Sequence, residues 1–297
     1  MEGIVKAWLL AAASAALLQG QTLRGVVDIH MHSGPDSVPR SIDSLSAARL
    51  AKKRGLRAIV LKNHYEPTAA LAGLARQEAP GLQVFGGIAL NLTVGGINRA
   101  AVERMTRVDG GYGRIVWMPT FDSENQVRFN KEQRPWVSVS SEGKLLPEVI
   151  DVIGLIAKSK LVLATGHSTP AEVKMLVEEG KRLGVRRIVV THGMLDPVAM
   201  TVAQMREVAS LGAFVEFVGN AMVGTTKSVS FENYARAMKA VGVEHCILSS
   251  DLGQKGNPLH PDGLEEIFRG LRGAGLTVAE IEQMVKANPA ALLDLDR

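Results

Sequence analysis

Two histidines, His30 and His32, follow the apolar run Val26–Ile29 and are separated by one residue. Side chains alternate along a strand, so both imidazoles face the same way if this run continues as a strand. Such a pair can bind a metal, although an H-x-H sequence by itself is weak evidence for a metal site. The pattern becomes informative only when further ligand-type residues occupy the same place in other elements.

Further residues of this kind follow other short β-branched runs, and five of the seven histidines lie at such run ends. A single histidine after a strand is more often a hydrogen-bonded loop residue. A convergent set of imidazoles with a carboxylate is instead typical of sites for zinc and similar divalent ions. We therefore predict one or two divalent metal ions, zinc first and manganese, nickel or iron as alternatives, that activate water. The residues at these run ends are His30, His32, Lys62, His64, His167, His192 and Asp251.

The elements that must position these residues alternate between strand-like runs and helical patterns. This alternation indicates parallel strands joined by crossover helices. From His30 to Asp251 the spacing is roughly 32 residues per unit, which suits a typical barrel of about 250 residues. We predict a (β/α)8 TIM barrel, whose active sites form at the C-terminal face of the strands. The eight runs are Val26–Ile29, Ala58–Leu61, Val84–Ala89, Arg114–Met118, Leu161–Ala164, Arg187–Val190, Ala213–Phe217 and Cys246–Leu248, and clear helical patterns cover Ile42–Arg54, Pro170–Leu183 and Pro197–Leu211.

One connection, from Pro119 to Pro147, is much longer than an ordinary loop between a strand and a helix. Loops of this length in compact domains are usually functional or disordered. Within it, Trp136–Ser140 alternates like a strand and Ser141–Lys144 has the composition of a turn, which predicts a small hairpin over the barrel mouth. No linker or repeat indicates a second domain, so we expect residues 21–297 to form one barrel.

Composition and charge narrow the classes of partner. The chain has 297 residues, 46% of them hydrophobic, which is enough for one sizeable core. The net charge of +4 comes without a basic stripe interleaved with aromatic residues, so we expect no nucleic-acid partner. Cys246 is the only cysteine, which excludes an intramolecular disulfide. A small-molecule substrate is expected, and the sequence leaves a homo-oligomer open.

Residues 1–20 have the pattern of a secretory signal peptide: one lysine, then an apolar run rich in alanine and leucine. The run is too short to span a bilayer comfortably, and no other segment is long and apolar enough. An exported or periplasmic protein follows if these residues are a signal peptide. The alternative is an N-terminal helix packed on the barrel of a cytoplasmic protein.

The ordered set of histidines and aspartate resembles the metal ligands of the amidohydrolase superfamily, whose members are metal-dependent (β/α)8 hydrolases. The resemblance extends over essentially the whole chain after residue 20. The ligand set in this order is specific, whereas the closing segment is similar but is not specific alone. The matching residues are His30, Met31, His32, His167, His192 and Asp251, with the closing segment 288–295.

The resemblance implies a role for each of these ligands. His30, His32 and Asp251 would bind one metal. His167 and His192 would bind a second metal or, in a mononuclear site, help to bind or orient substrate and water. Asp251 would also take a proton from the attacking water and pass it to the leaving group. A carboxylate beside a metal stays ionised because of the charge of the cation.

The chain departs from the superfamily at the bridging ligand. Many binuclear members bridge their metals with a carboxylated lysine on the fourth strand, but Met118, Pro119 and Thr120 end this strand without one. Lys62 is the candidate substitute, since some relatives with D-aminoacylase activity place a bridging cysteine on the second strand. Carboxylated Lys62 would be a metal ligand, whereas a free ammonium would hold an anionic substrate group. His64 would be a further ligand, a substrate contact or a capped loop residue.

Loops at this face of a barrel normally select the substrate. We predict His64, Arg40, Asn91 and Trp136 as substrate contacts, and the cationic residues as a group suggest a substrate with a carboxylate. Each of the remaining polar residues is better explained as a solvated loop residue. Those weaker candidates are Asp36, Arg128, Arg134, Asn220, Gln254, Lys255 and His260, together with Glu216, which lies within the seventh strand and could face either the barrel or the helices.

These observations predict a hydrolase that cleaves a C–N or C–O bond of an amide, ester or lactone by metal-activated water. A phosphoesterase of the polymerase-and-histidinol-phosphatase type is the alternative, since Asp28–Ser33 resembles its first motif. That family closes with an Asp-x-His, however, and Asp251 is followed by Leu252 and Gly253. A lyase or isomerase on the same metal barrel, or a barrel that binds without turnover, is also open.

Overall fold

Eight parallel strands form the centre of the molecule in the computed structural model, which describes residues 23–295. Consecutive barrel strands pair with each other in chain order, and a two-stranded hairpin is inserted between the fourth and the fifth of them. The barrel closes where the backbone N–H of Asp251 donates to the carbonyl of His30 and that of His32 to Leu252. The predicted (β/α)8 barrel is confirmed. Its strands are β1 (Val27–Met31), β2 (Ala58–Leu61), β3 (Gln83–Ala89) and β4 (Gly113–Trp117), the hairpin strands β5 (Ser140–Ser141) and β6 (Lys144–Leu145), and β7 (Val162–Ala164), β8 (Ile188–Val190), β9 (Phe214–Val218) and β10 (Cys246–Ser249).

Helices cover the outside of the strands. The predicted helix start at Pro197 is wrong, since that helix begins at Val202. Thr201 caps it by accepting from the N–H of Gln204, whose side chain bonds back to Thr201, and this capping box defines the first turn. A π-helical segment, Gln283–Ala287, joins the last two helices. The helices are α1 (Ser44–Lys53), α2 (Ala69–Glu78), α3 (Arg99–Thr106), α4 (Glu124–Phe129), α5 (Pro147–Lys158), α6 (Pro170–Arg182), α7 (Val202–Ser210), α8 (Phe231–Val241), α9 (His260–Gly273), α10 (Val278–Glu282) and α11 (Asn288–Leu293).

The core has two layers. One cluster of buried side chains packs between the strands and the helices, and a smaller cluster fills the barrel interior. Leu292 and Leu293 of α11 join the interior cluster. Asn288 ties this helix to the start of β10 by donating to the carbonyls of Val243 and Cys246. The closing segment therefore seals the N-terminal end of the barrel and leaves the C-terminal face for a site.

An irregularity in β1 aims the two histidines at the mouth. Val27 and Ile29 belong to the interior cluster, so plain alternation would turn His30 away from the interior. The register of β1 against β2 shifts between Asp28 and Met31, and Met31 packs in the outer layer. Such bulges re-aim side chains and occur at barrel rims and next to active sites.

The long connection contains structure of its own. The predicted turn is confirmed, with Glu142 and Gly143 at positive φ between β5 and β6. The strand is shorter than the predicted Trp136–Ser140, because Val137 makes only one bridge, to Ser123. The connection also carries α4, which the sequence pattern did not predict.

The predicted signal segment, residues 1–20, lies outside the described residues, and export stays a prediction. Within residues 23–295, none of the helices combines the length and the apolar character that crossing a membrane requires.

Candidate metal centre

His30, His32 and Asp251 meet at the C-terminal mouth of the barrel and are buried there. Oδ1 of Asp251 lies 3.1 Å from Nε2 of His30 and 2.9 Å from Nε2 of His32. Although Nε2 of His30 is this close to the carboxylate, it makes no hydrogen bond of normal geometry and is a buried atom without a partner. A cation shared by the three side chains would satisfy it, so these residues fit a divalent metal.

Glu216, in β9, holds His30 from the other side of its ring. Its Oε1 accepts from Nδ1 of His30 at 3.1 Å and from the Ser249 hydroxyl at 2.6 Å. Its Oε2 accepts from the backbone N–H of His192 at 3.2 Å. A carboxylate on one imidazole nitrogen fixes the tautomer and makes the other nitrogen a better metal ligand. The sequence had left Glu216 among the weak candidates, because a strand buried on both faces does not show which way it points.

His167 and His192 form the second half of the site. Their Nε2 atoms lie 3.1 Å apart, and Nδ1 of His167 donates to Oε1 of Gln126 at 2.7 Å. Nε2 of His167 therefore keeps its lone pair and faces another imidazole nitrogen. Nδ1 of His192 is buried without a partner. The pair is suited to share a cation or, in its absence, a proton.

The backbone is strained at two of these positions. His192 and Asp251 have φ angles of 27° and 47°, in the left-handed region that side chains with a Cβ seldom adopt. Strain of this kind concentrates at functional sites. Gly253 shows a related constraint: a Cβ there would lie 2.0 Å from the carbonyl oxygen of His32, so only glycine lets the chain pass beside β1.

Burial keeps four histidines of the site neutral. It lowers the pKa of His32 to about 3 and the pKa of His192 to about 4. It also holds the pKa of His167 and of His64 well below the usual range. Imidazoles with such pKa values are uncharged at neutral pH, so one ring nitrogen of each keeps a lone pair for a metal or a hydrogen bond.

The two carboxylates of the site stay ionised. Burial alone would raise the pKa of Asp251, but the electrostatic interaction with the His30 ring and the hydrogen bond from His32 hold it below its usual range. Burial also works against the ionised form of Glu216, whose pKa is nevertheless lowered by His30 and by the hydrogen bond from Ser249. The site therefore offers two negative charges to a cation.

Lys62 lies at the end of β2 and is buried. Burial lowers its pKa to about 8, although the carboxylates of Asp251 and Glu216 oppose this. Its ammonium lies 5.7 Å from the centre of the Trp117 ring, and it makes no ion pair within the described chain. A buried amine in this state is suited either to modification or to pairing with an anion.

His64 is stacked among other rings of the site. Its ring centre lies 3.6 Å from that of Phe121 and 5.0 Å from that of His32. Asn91 lies behind it, donating to the carbonyl of His64 and to Thr120, and its Oδ1 accepts two backbone N–H groups. Asn91 was predicted as a substrate contact, but its hydrogen-bonding capacity is used up in supporting His64.

The other two predicted substrate contacts make no hydrogen bond or ion pair with a site histidine within the described chain. Arg40 donates to Asp36 at 2.6 Å, and both side chains are nearly inaccessible. Trp136 is 41% exposed, and the guanidinium of Arg128 covers its ring at 4.9 Å. Among the described rings, Trp136 makes no contact with a site histidine. The structure therefore places Trp136 away from the metal cluster, whereas Arg40 is buried close enough for its charge to help lower the pKa of His32 and of His64.

Three residues of the long connection reach the site although the sequence did not single them out. Gln126 bonds His167, Thr120 bonds His64, and Phe121 stacks on His64. The only signal for them was the unusual length of the segment that carries them. His260, a weaker candidate, donates from Nε2 to the carbonyl of His32 and so supports the β1 end.

Solved structures of several enzymes share this fold. An amidohydrolase from Pseudomonas aeruginosa is similar at 12% identity with a TM-score of 0.60, over 90% of this chain and 95% of that one. A triple mutant of organophosphorus hydrolase from Deinococcus radiodurans is similar at 15% identity with a TM-score of 0.60, over 92% and 94%. A 2,6-dihydroxybenzoate decarboxylase from Rhizobium is similar at 14% identity with a TM-score of 0.54, over 92% of this chain and 100% of that one. At these identities the likeness shows the fold, and the amidohydrolase-like barrel is confirmed.

Sequence comparisons add the family. No curated protein matches the chain. The model of DUF6282, a family of unknown function, matches residues 25–216, which is more than half of the chain. This range contains His30, His32, His167 and His192, and ends before Asp251. The chain therefore belongs to the DUF6282 family.

Proposed function

We propose that the protein is a metal-dependent hydrolase that cleaves a C–N or C–O bond of a small amide, ester or lactone. One observation carries this proposal: His30, His32 and Asp251 are buried together at the barrel mouth, and Nε2 of His30 lacks a partner that a cation would supply. The fold hosts hydrolases and decarboxylases alike, so the reaction must be argued from the site and not from the barrel.

The donor set suggests how metal would be held. His30, His32 and Asp251 would hold the first ion, and imidazole with carboxylate suits zinc well. His167 and His192 would hold a second ion or orient substrate and water. When bound, the metal supplies Lewis acidity, which polarises a carbonyl group and lowers the pKa of water towards about 7.

Asp251 is the residue to which we assign the movement of a proton. Its carboxylate lies within 3.1 Å of Nε2 of both His30 and His32, so it borders the place where the reaction would occur. Its lowered pKa keeps it ionised and able to accept a proton from the attacking water. The same carboxyl group then returns that proton to the departing nitrogen or oxygen.

We also propose that Lys62 becomes a carbamate and serves as the bridging ligand. Its burial, its lack of an ion pair and its pKa near 8 support this, because a fraction of the amine is uncharged at neutral pH and can add CO2. A free ammonium that holds a substrate carboxylate is the alternative. Zinc content of wild type and of Lys62→Met with and without bicarbonate separates the two. A bicarbonate-dependent second zinc, lost in Lys62→Met, supports the carbamate.

The test of the hydrolase proposal is a substrate screen with a matched variant. Metal-depleted protein is reloaded with zinc, manganese or nickel and offered amides, esters, lactones and phosphate monoesters. We expect metal-dependent cleavage of a C–N or C–O bond. Asp251→Asn should retain much of the metal and lower kcat by about 10²–10⁴-fold, the usual contribution of a general acid–base residue.

The other outcomes of this screen would contradict part of the proposal or favour a different reaction. Near-normal turnover by Asp251→Asn would remove Asp251 as the proton carrier. Phosphate release alone would favour the phosphoesterase alternative, and release of CO2 without hydrolysis would favour a lyase. Binding of metal without any turnover would contradict the assignment as an enzyme.

A further inference from the structure

The orientation of the Asn91 side-chain amide is determined by backbone groups of known polarity. Its Oδ1 accepts from the N–H of Thr120 at 2.9 Å and from the N–H of Asp122 at 3.2 Å. Its Nδ2 donates to the carbonyl of His64 at 2.6 Å. Rotating the amide by half a turn would set two donors against two N–H groups and an oxygen against a carbonyl. Nδ2 is therefore the atom that faces the Thr120 hydroxyl.

The Thr120 hydroxyl in turn determines the tautomer of His64. Nδ2 of Asn91 donates to Thr120 Oγ1 at 2.7 Å, and Nδ1 of His64 lies 2.9 Å from the same oxygen. Thr120 is fully buried, and within the described chain its hydroxyl proton has no other acceptor than this nitrogen. A protonated Nδ1 would leave the hydroxyl proton buried without a partner, at a cost of about 1–3 kcal/mol. The hydroxyl therefore donates to Nδ1, and the ring proton lies on Nε2.

The His64 ring is also held in place, beside the candidate metal centre. Phe121 stacks against it with ring centres 3.6 Å apart, and the rings of His32 and His167 lie 5.0 Å and 6.1 Å away. His64 thus lies beside a residue from each half of the metal centre. Within the described chain, Nε2 of His64 has no hydrogen-bond partner, and it is not one of the completely buried polar atoms. It is therefore the nitrogen open to a ligand.

We propose that His64 is a fixed hydrogen-bond donor, with its proton on Nε2, that binds the carbonyl oxygen of the scissile group and is not a metal ligand. An imidazole ligates through a nitrogen lone pair, and here Thr120 engages the lone pair on Nδ1 while Nε2 carries the proton. A rigid donor in a site shielded from water stabilises the negative charge that develops on a carbonyl oxygen during hydrolysis. The substrate role rests on the proposed function, whereas the tautomer and the absence of ligation do not.

Nuclear magnetic resonance of protein labelled with nitrogen-15 in its histidines tests the tautomer without any substrate. Signals of His64 are assigned by their loss in His64→Gln. We expect a protonated Nε2 and an unprotonated Nδ1 in wild type and in Thr120→Ser, which keeps the hydroxyl. Thr120→Val, which lacks the hydroxyl, should show a mixture of tautomers. A proton on Nδ1 in wild type would overturn the proposal.

Zinc binding and enzyme kinetics test the two remaining claims, that His64 is not a metal ligand and that it binds the substrate carbonyl. On addition of zinc, the Nε2 proton signal of His64 should persist, and its disappearance with bound zinc would show that His64 is a ligand. With a substrate from the screen, His64→Leu should lower kcat by about 10²–10³-fold, the effect of removing one such donor. His64→Gln, which carries an N–H at a similar reach, should recover part of that loss. Equal kcat for His64→Leu and wild type would contradict the substrate role, even if the enzyme is a hydrolase.

Discussion

The two halves of the candidate metal centre are held in different ways. His30 lies between two carboxylates, with Asp251 at its Nε2 and Glu216 at its Nδ1. His167 instead bonds the neutral amide of Gln126, and its other nitrogen faces a second imidazole. Hydrogen bonds to an ionised group are roughly twice as strong as neutral ones, and only the carboxylates offset the charge of a cation. The first half should therefore bind metal tightly, and the second half should bind it less tightly.

Removing a ligand from the first half should have the largest effect. His30→Ala deletes an imidazole that is oriented by Glu216 and shares the Asp251 carboxylate, so zinc affinity should fall by more than about 100-fold, beyond the loss seen for outer partners. Equilibrium dialysis against zinc measures this. His245→Ala is the matched control, because His245 is 44% exposed and lies at the opposite end of β10 from Asp251. Full retention of zinc by His30→Ala would undo the ligand assignment.

Removing the charge that orients His30 should have an intermediate effect on zinc affinity. Glu216→Gln keeps the shape of the side chain but removes the charge behind His30, so zinc affinity should fall by about 10–100-fold. A competition titration with a chromophoric chelator gives the affinity. Glu244→Gln, the same substitution at a carboxylate that is 65% exposed, is the control that should bind zinc normally. An unchanged affinity in Glu216→Gln would mean that Glu216 only stabilises the fold.

Weakening the support of the second half should have the smallest effect. Gln126→Leu removes the neutral acceptor of His167, and a net hydrogen bond of about 0.5–1.5 kcal/mol corresponds to a loss of about 2–10-fold. The same chelator titration should show this change only in the weaker zinc-binding step. A loss as large as that of Glu216→Gln would show that the two halves are supported equally, contrary to the comparison.

The sequence predicted the barrel and the convergence of the candidate ligands because both follow from local patterns. Short β-branched runs mark the strands, and polar residues at their ends must meet at one face of a barrel. His167, His192 and Asp251 could be placed in this way without any knowledge of packing. Even the aim of His30 towards the mouth was predicted, although it depends on a register shift in β1 that the pattern does not reveal.

The supporting residues could not be predicted because their positions depend on tertiary packing. Gln126 and Thr120 come from a connection whose path follows from the α4 helix and a bridge to Val137. Asn91 follows the end of a strand, as the candidate ligands do, but its side chain donates to the carbonyl of His64 and supports that residue. Glu216 lies in a strand that is buried on both sides, so burial does not distinguish its two faces.

The most direct test of the metal centre is elemental analysis of the purified protein, reported as metal per chain. After reconstitution with zinc and removal of free metal, wild type should retain at least one ion per chain. His167→Ala should still retain one, held by His30, His32 and Asp251. Absence of metal from wild type, even after incubation with zinc, manganese or nickel, would contradict the metal centre and with it the proposed hydrolase.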